Sequence, residues 1–157
     1  MTAKYEFVPG DEIVLASGRT LKRIRALVTI AALGITPGTL GGYVESETNL
    51  AQVYGDAWVY GNAWVYGNAQ VSGNARVYGR GLVFWSSMVG SEYGTLTVYN
   101  TKSGDLEVTR GCFRGTVDQF LAASEKKHGD TIHVEYRMLI DVAVSIITRS
   151  KVVLPDQ

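Results

Sequence analysis

Cys112, His128, Asp130 and His133 are the residues of this 157-residue chain whose types suit covalent chemistry: a thiol nucleophile, an imidazole base and an orienting group. Their contexts argue for a plainer reading. A lone cysteine beside Phe113 is ordinarily a small core residue, and His128-Gly129 reads as the end of a helix. No phosphate-binding loop, metal-ligand spacing or paired-carboxylate motif occurs, so no catalytic, cofactor-binding or metal residue is assigned and no cofactor is expected.

A second set is basic. Arg19, Lys22, Arg23 and Arg25 are spaced as a small anion-binding patch or, more simply, as the solvated side of an edge strand. Over the whole chain 15 basic residues balance 15 acidic ones, so nucleic acid is not indicated as a partner. The single cysteine excludes an internal disulfide and fits a reducing compartment. The apolar run from Ala26 to Ile35 is too short for a bilayer span and lacks a signal-peptide pattern, so a cytoplasmic protein with no membrane partner is expected.

The elements that must position any functional side chain are organised by AQVYGDAWVYGNAWVYGNAQVSGNARVYG, from Ala51 to Gly79. In a six-residue register Val53, Val59, Val65, Val71, Val77, Val83 and Val89 recur at the third place, and Ala51, Ala57, Ala63, Ala69, Ala75, Gly81 and Ser87 at the first. Small-x-Val-x alternates with period two, as a short half-buried strand does, and Gly-Asn or Gly-Asp then permits a turn with left-handed dihedrals. Six residues leave no length for a returning hairpin partner. The pattern resembles the hexapeptide repeat of left-handed parallel β-helices, which implies three hexads per coil of about eighteen residues and roughly two coils here. Each inward valine stabilises by about 1.5–3 kcal/mol.

Stacking at that period predicts three exterior faces. One carries Gln52, Gln70 and Met88. A second sets Trp58 over Arg76 and Tyr60 over Tyr78, and a third sets Trp64 over Leu82 and Tyr66 over Phe84. Both aromatic faces are expected to be covered, by the rest of the chain, by a second copy in a dimer or trimer, or by a foreign protein.

The flanks divide into residues 1–50, strands that cap the coil, then the repeat at 51–92, then residues 93–157. YEFV, EIVLAS and RTLKRIRALV read as strands interrupted at Pro9-Gly10 and Ser17-Gly18, with Leu40, Tyr43 and Val44 as lid residues. YGTLTVYN and LEVTRGCF flank the turn TKSGD. Thr116 and Gln119 then stand in capping-box spacing before a helix with Val117, Phe120 and Leu121 on one face. A second helix begins at Asp130 or Thr131, with Ile132, Tyr136, Leu139, Ile140, Ala143, Ile146 and Ile147 at helical spacing. The expected fold is therefore mainly β: a short left-handed parallel β-helix with an N-terminal β cap and a C-terminal ββαα unit, one of whose apolar faces lies against Trp64 and Phe84.

GTLGGYVESETNL leading into YGDAWVYGNA, and later GCFRGTVDQF with HGD, resemble small hexapeptide-repeat proteins of bacteriophages and prophages over most of Arg19 to Ile147. The resemblance implies a phage-borne accessory protein and transfers no functional residue. Together with the aromatic faces it predicts a non-enzymatic binding protein that inhibits or sequesters a host component, with a host protein as target. The alternatives are an acyltransferase-like enzyme with its site between subunits, a phage structural or decoration protein, and a small-molecule sponge. Hexapeptide enzymes place a histidine on or beside the coils, and none lies between Ala51 and Glu92.

Overall fold

The computed structural model describes residues 3–152. Strand β1 (Tyr5–Val14) pairs antiparallel with β2 (Thr20–Ala26), and β2 pairs antiparallel with β3 (Leu40–Val44). The interruption expected at Pro9-Gly10 is a bulge inside one continuous strand: Phe7 faces Ile24 and Glu12 faces Lys22, and Gly10 has φ of +82°.

From β3 onward the chain winds in parallel. Tyr43 and Val44 pair with Trp64 and Val65 of β5 (Trp64–Val65), and Trp58 and Val59 of β4 (Trp58–Val59) pair with Arg76 and Val77 of β6 (Arg76–Val77). The corners between these short strands are Gly55, Gly61, Gly67 and Gly73, with φ between +54° and +77°, the conformation the Gly-Asn and Gly-Asp pairs predict. Ala57, Ala63, Ala69 and Ala75 are buried, as are Val59, Val65, Val71 and Val77.

One expected core residue lies outside. Val53 is 37% exposed, while Leu50, three residues earlier, is fully buried and bridges Val71. The reason is a change in the length of the winding. Trp58 meets the residue eighteen positions on, but Tyr43 and Leu50 meet residues twenty-one positions on. Three extra residues are accommodated between the Leu50–Val71 bridge and the Asp56 N–H to Gly73 C=O hydrogen bond, so the hexad 51–56 bulges out and Val44 and Leu50 occupy the valine places. The first inward positions thus precede Ala51. Asn49 holds the longer turn: its buried amide donates to the carbonyls of Gly67 and Ala69 at 3.0 and 2.9 Å.

Parallel pairing does not continue to Glu92. Leu82 and Val83 are still buried, but β7 (Val83–Val89) turns into an antiparallel meander with β8 (Gly94–Asn100), β9 (Leu106–Arg110) and β10 (Phe113–Thr116). Ser87, an inward position in the register, is exposed; Met88, expected on an exterior face, is exposed as well and adopts a positive φ of 63° at the strand's irregular end. The two strands expected after the repeat are β8 and β9, with one more strand on each side.

Helix α1 (Val117–Lys127) starts at Thr116, whose side chain accepts from the Gln119 N–H while the Gln119 side chain accepts from the Thr116 N–H. Helix α2 (Asp130–Val152) buries Tyr136, Ile140, Ala143 and Ile147 and packs on β7 and on the 3-10 turn Arg80–Leu82. Among the described residues no helix is long and apolar enough to cross a membrane.

The shift in register gives a direct test. Leu50→Ala should cost about 2–5 kcal/mol in urea unfolding. Val53→Ala, although identical in repeat position to the core valines, should stay within about 0.5 kcal/mol of wild type. Equal losses at the two positions would refute the assignment of Leu50 to the core.

Candidate functional site: a cation–aromatic face on the repeat

The two aromatic faces expected from the sequence have different fates. Trp58 is fully buried, so it does not face solvent. The bulge at 51–55 receives the N-terminal strand over it: the Lys4 N–H donates to the Gln52 carbonyl at 2.8 Å and the Tyr5 N–H to the Gln52 side chain at 3.1 Å. Tyr5 donates its hydroxyl to the Leu50 carbonyl at 2.8 Å and sets its ring edge-on to Trp58 at 6.5 Å. Lys4 reaches the Ala57 carbonyl with Nζ at 2.9 Å. The partners of Trp58 on this face remain half-buried, with Arg76 stacked between Tyr60 at 5.7 Å and Tyr78 at 5.2 Å.

The other face stays open. The winding before Trp64 is twenty-one residues long, so its in-register neighbour there is Tyr43, and among the described residues no strand pairing joins Trp64 to Leu82. Arg23 lies over the Tyr43 ring at 4.4 Å and Arg80 over the Trp64 ring at 3.6 Å, so the order across the sheet is cation, ring, ring, cation. Tyr66 meets Trp85 edge-on at 4.9 Å. Trp64, Tyr66, Arg80, Phe84 and Trp85 line a groove of about 350 Å³ whose far wall is Ile146 of α2. The helix expected beside Trp64 and Phe84 is therefore there. Leu82 is not part of the open face: it is fully buried where α2 crosses, with Ser150 beside Gly81. The sequence predicts Tyr43 only as a lid residue, because an eighteen-residue stacking rule misaligns the first winding with the second, and Arg80 and Trp85 are not among the residues expected on this face.

The basic run does not form a free patch. Arg19 pairs with Glu45 at 2.8 Å, Arg23 with Asp11 at 2.6 Å and Arg25 with Glu6 at 2.6 Å, while Lys22 sits 5.1 Å over the Phe7 ring. Asp11 also accepts from the Tyr43 hydroxyl at 2.8 Å, and that hydrogen bond, with the Arg23 guanidinium, holds its carboxyl below the usual carboxylate range. The paired carboxylates compensate the cations where they stand.

The thiol and imidazoles are not linked into a catalytic set. Cys112 is exposed in the turn between β9 and β10, not in the core. His133 Nδ1 is 3.1 Å from the Ser124 hydroxyl, and His128 is the C-cap of α1, 5.7 Å from the Tyr136 ring. Among the described residues no cluster of His, Cys, Asp and Glu has metal-binding geometry.

Residues 51–67 and 69–83 match a family model described as the YdcK beta solenoid repeat. This segment is a β-solenoid repeat. The match stops at Val83, where the chain leaves parallel pairing for the meander. No curated protein and no solved structure matches the chain. The solenoid supplies the open face with short strands of fixed spacing, and the N-terminal sheet extends it by one more cation–ring pair.

Lys4, which helps seal the other face, makes the docking pH-dependent. Burial lowers its ammonium pKa to about 8, against the attraction of Asp56. The folded state then binds fewer protons than the unfolded chain between that value and the ordinary lysine range, so stability should rise from about pH 8 to pH 10, by on the order of 1–2 kcal/mol. Above about pH 10 it should fall, because burial raises the phenol pKa of Tyr5 and Tyr99. Urea midpoints at three pH values check this, and Lys4→Met should abolish the rise while leaving the fall.

Proposed function

We propose that the protein is a non-enzymatic binding protein that acts in the host cytoplasm by occupying a bacterial component, with the Trp64 groove as its contact surface. The observation that carries this reading is the open groove itself: Arg80 lies 3.6 Å over the Trp64 ring beside Tyr66, Phe84 and Trp85, on a backbone fixed by parallel hydrogen bonds. Trp, Tyr and Arg dominate interface energetics because large rigid side chains displace much water at small entropic cost. Stacking also holds Arg80 in one orientation before a partner arrives, which lowers the cost of binding. The resemblance to small phage and prophage proteins favours a host target and an inhibitory or sequestering role. A homo-oligomer assembled through the half-buried Tyr60–Arg76–Tyr78 edge is part of the same proposal.

The finer architecture belongs to it as well: a left-handed triangular coil of three hexads per turn and about two turns. The eighteen-residue return and the positive-φ glycine corners support that geometry.

The test compares wild type with a Trp64→Ala/Arg80→Ala double variant in affinity capture from bacterial lysate, followed by measurement of the captured protein's affinity with purified components. Loss of at least about 2 kcal/mol of binding is expected if these side chains form the centre of the interface. Unchanged affinity in a folded variant would exclude the groove. Sedimentation of the purified protein tests the oligomer, which a monomer at all concentrations would rule out.

A further inference from the structure

On the side of the meander facing the two helices lies a second feature, independent of the aromatic groove. Arg110, the last residue of β9, lines a cavity of about 150 Å³ together with Phe113, Phe120, Lys127, His128 and Tyr136. The guanidinium lies where Gly94 has no side chain: a Cβ there would stand 2.9 Å from both Cζ and Nη1 of Arg110. Gly90 leaves the same kind of room for the Tyr136 hydroxyl and for Nη2 of Arg110. Two glycines thus let one guanidinium and one phenol approach the backbone closely.

What holds Arg110 is little. Nη2 makes a long hydrogen bond of 3.4 Å to the Val89 carbonyl, and Nε is buried with no partner. Among the described residues no carboxylate forms an ion pair with it, although Glu92 also lines the cavity. A shielded guanidinium nitrogen without an acceptor is costly, unlike the paired Arg19, Arg23 and Arg25 of the N-terminal sheet. The floor is aromatic, with Phe113, Phe120 and Tyr136 in successive edge-on contacts at 5.4 and 4.9 Å. The Tyr136 ring is almost wholly buried.

We infer that this cavity is a binding site for a small monocarboxylate with a compact aromatic body, its carboxylate accepting from Arg110 and its ring resting on Phe113, Phe120 and Tyr136. The size fits: an apolar cavity of about 150 Å³ accommodates a benzene ring. The polar end fits as well, since a planar guanidinium matches a carboxylate and Lys127 adds a second cation at the opening. The site lies away from the Trp64 groove and does not depend on the role proposed for it.

Calorimetric titration of the full chain with benzoate tests the inference. Saturable binding is expected, weakened at least about tenfold in Arg110→Gln, and benzyl alcohol, which keeps the ring and lacks the charge, should bind at least about tenfold more weakly than benzoate. Because Arg110→Gln risks disturbing the fold, a second variant, Ala123→Trp, fills the mouth from an exposed position of α1 and should abolish binding with an unchanged unfolding midpoint. Absence of saturation by about 10 mM benzoate would overturn the proposal. So would equal binding by folded Arg110→Gln, equal affinity for benzyl alcohol, or undiminished binding by Ala123→Trp.

Discussion

The parallel ladder between successive windings, carried by the N–H groups of Asp56, Trp58 and Tyr60 on the carbonyls of Gly73, Ala75 and Val77 at 2.8–3.0 Å, decides where every other element of this protein can attach. A parallel ladder fixes its own register: each strand of two or three residues has one neighbour above, and side chains on the same face must stack. It also leaves an unpaired edge at each end, which has to be covered or paired. At the first edge β2 pairs with β3 and carries β1 with it; at the far end β7 departs into a meander, and α2 lies over the departure point. The flanks thus pair or cover edges that a repeat of this length would otherwise leave open.

The three-residue excess in the first winding gives these attachments their asymmetry. By pushing Gln52 outward it presents a carbonyl and a side-chain amide to the N-terminal strand, which then closes over Trp58. The same excess moves Tyr43 into line with Trp64 and so creates the open cation–ring row on the other face. One local irregularity therefore accounts for both the fully buried tryptophan and the half-buried one. A regular coil of eighteen residues throughout would have given the two faces comparable environments.

Much of the architecture was legible in the residues, and what was missed has a physical cause. Alternation of alanine and valine, the glycine corners and the Thr116–Gln119 capping box are local signals, and the structure follows them. Val53 misled because it obeys the pattern: a bulge that absorbs three residues leaves a hexad's composition unchanged, so the apolar period runs straight through it. Leu50 and Val44 had no alanine two positions earlier to advertise them, since Thr48 and Gly42 stand there instead. Gly42 is buried within β3, and a Cβ there would stand 2.6 Å from the Ala63 carbonyl, so even alanine is too large at that place in the strand. The cover of Trp58 by Tyr5 was invisible for a different reason, because it joins residues fifty-three positions apart and depends on the bulge that the pattern concealed.

Charge sorts the surface more sharply than hydrophobicity does. In the N-terminal sheet Arg19, Arg23 and Arg25 each meet a carboxylate, and these solvent-screened pairs chiefly neutralise the edge. Arg76, Arg80 and Arg110 have no carboxylate partner among the described residues. Arg76 lies between two tyrosines, Arg80 on a tryptophan and Arg110 against glycine backbone. An aromatic face attracts a cation without cancelling its charge, and a glycine cradle does not cancel it at all. These three guanidinium groups are thus oriented by their surroundings with no carboxylate paired to them among the described residues. The compositional balance of 15 basic and 15 acidic residues conceals this division, because the ion pairs found among the described residues, those of Glu6, Asp11 and Glu45, all lie in the N-terminal part of the chain.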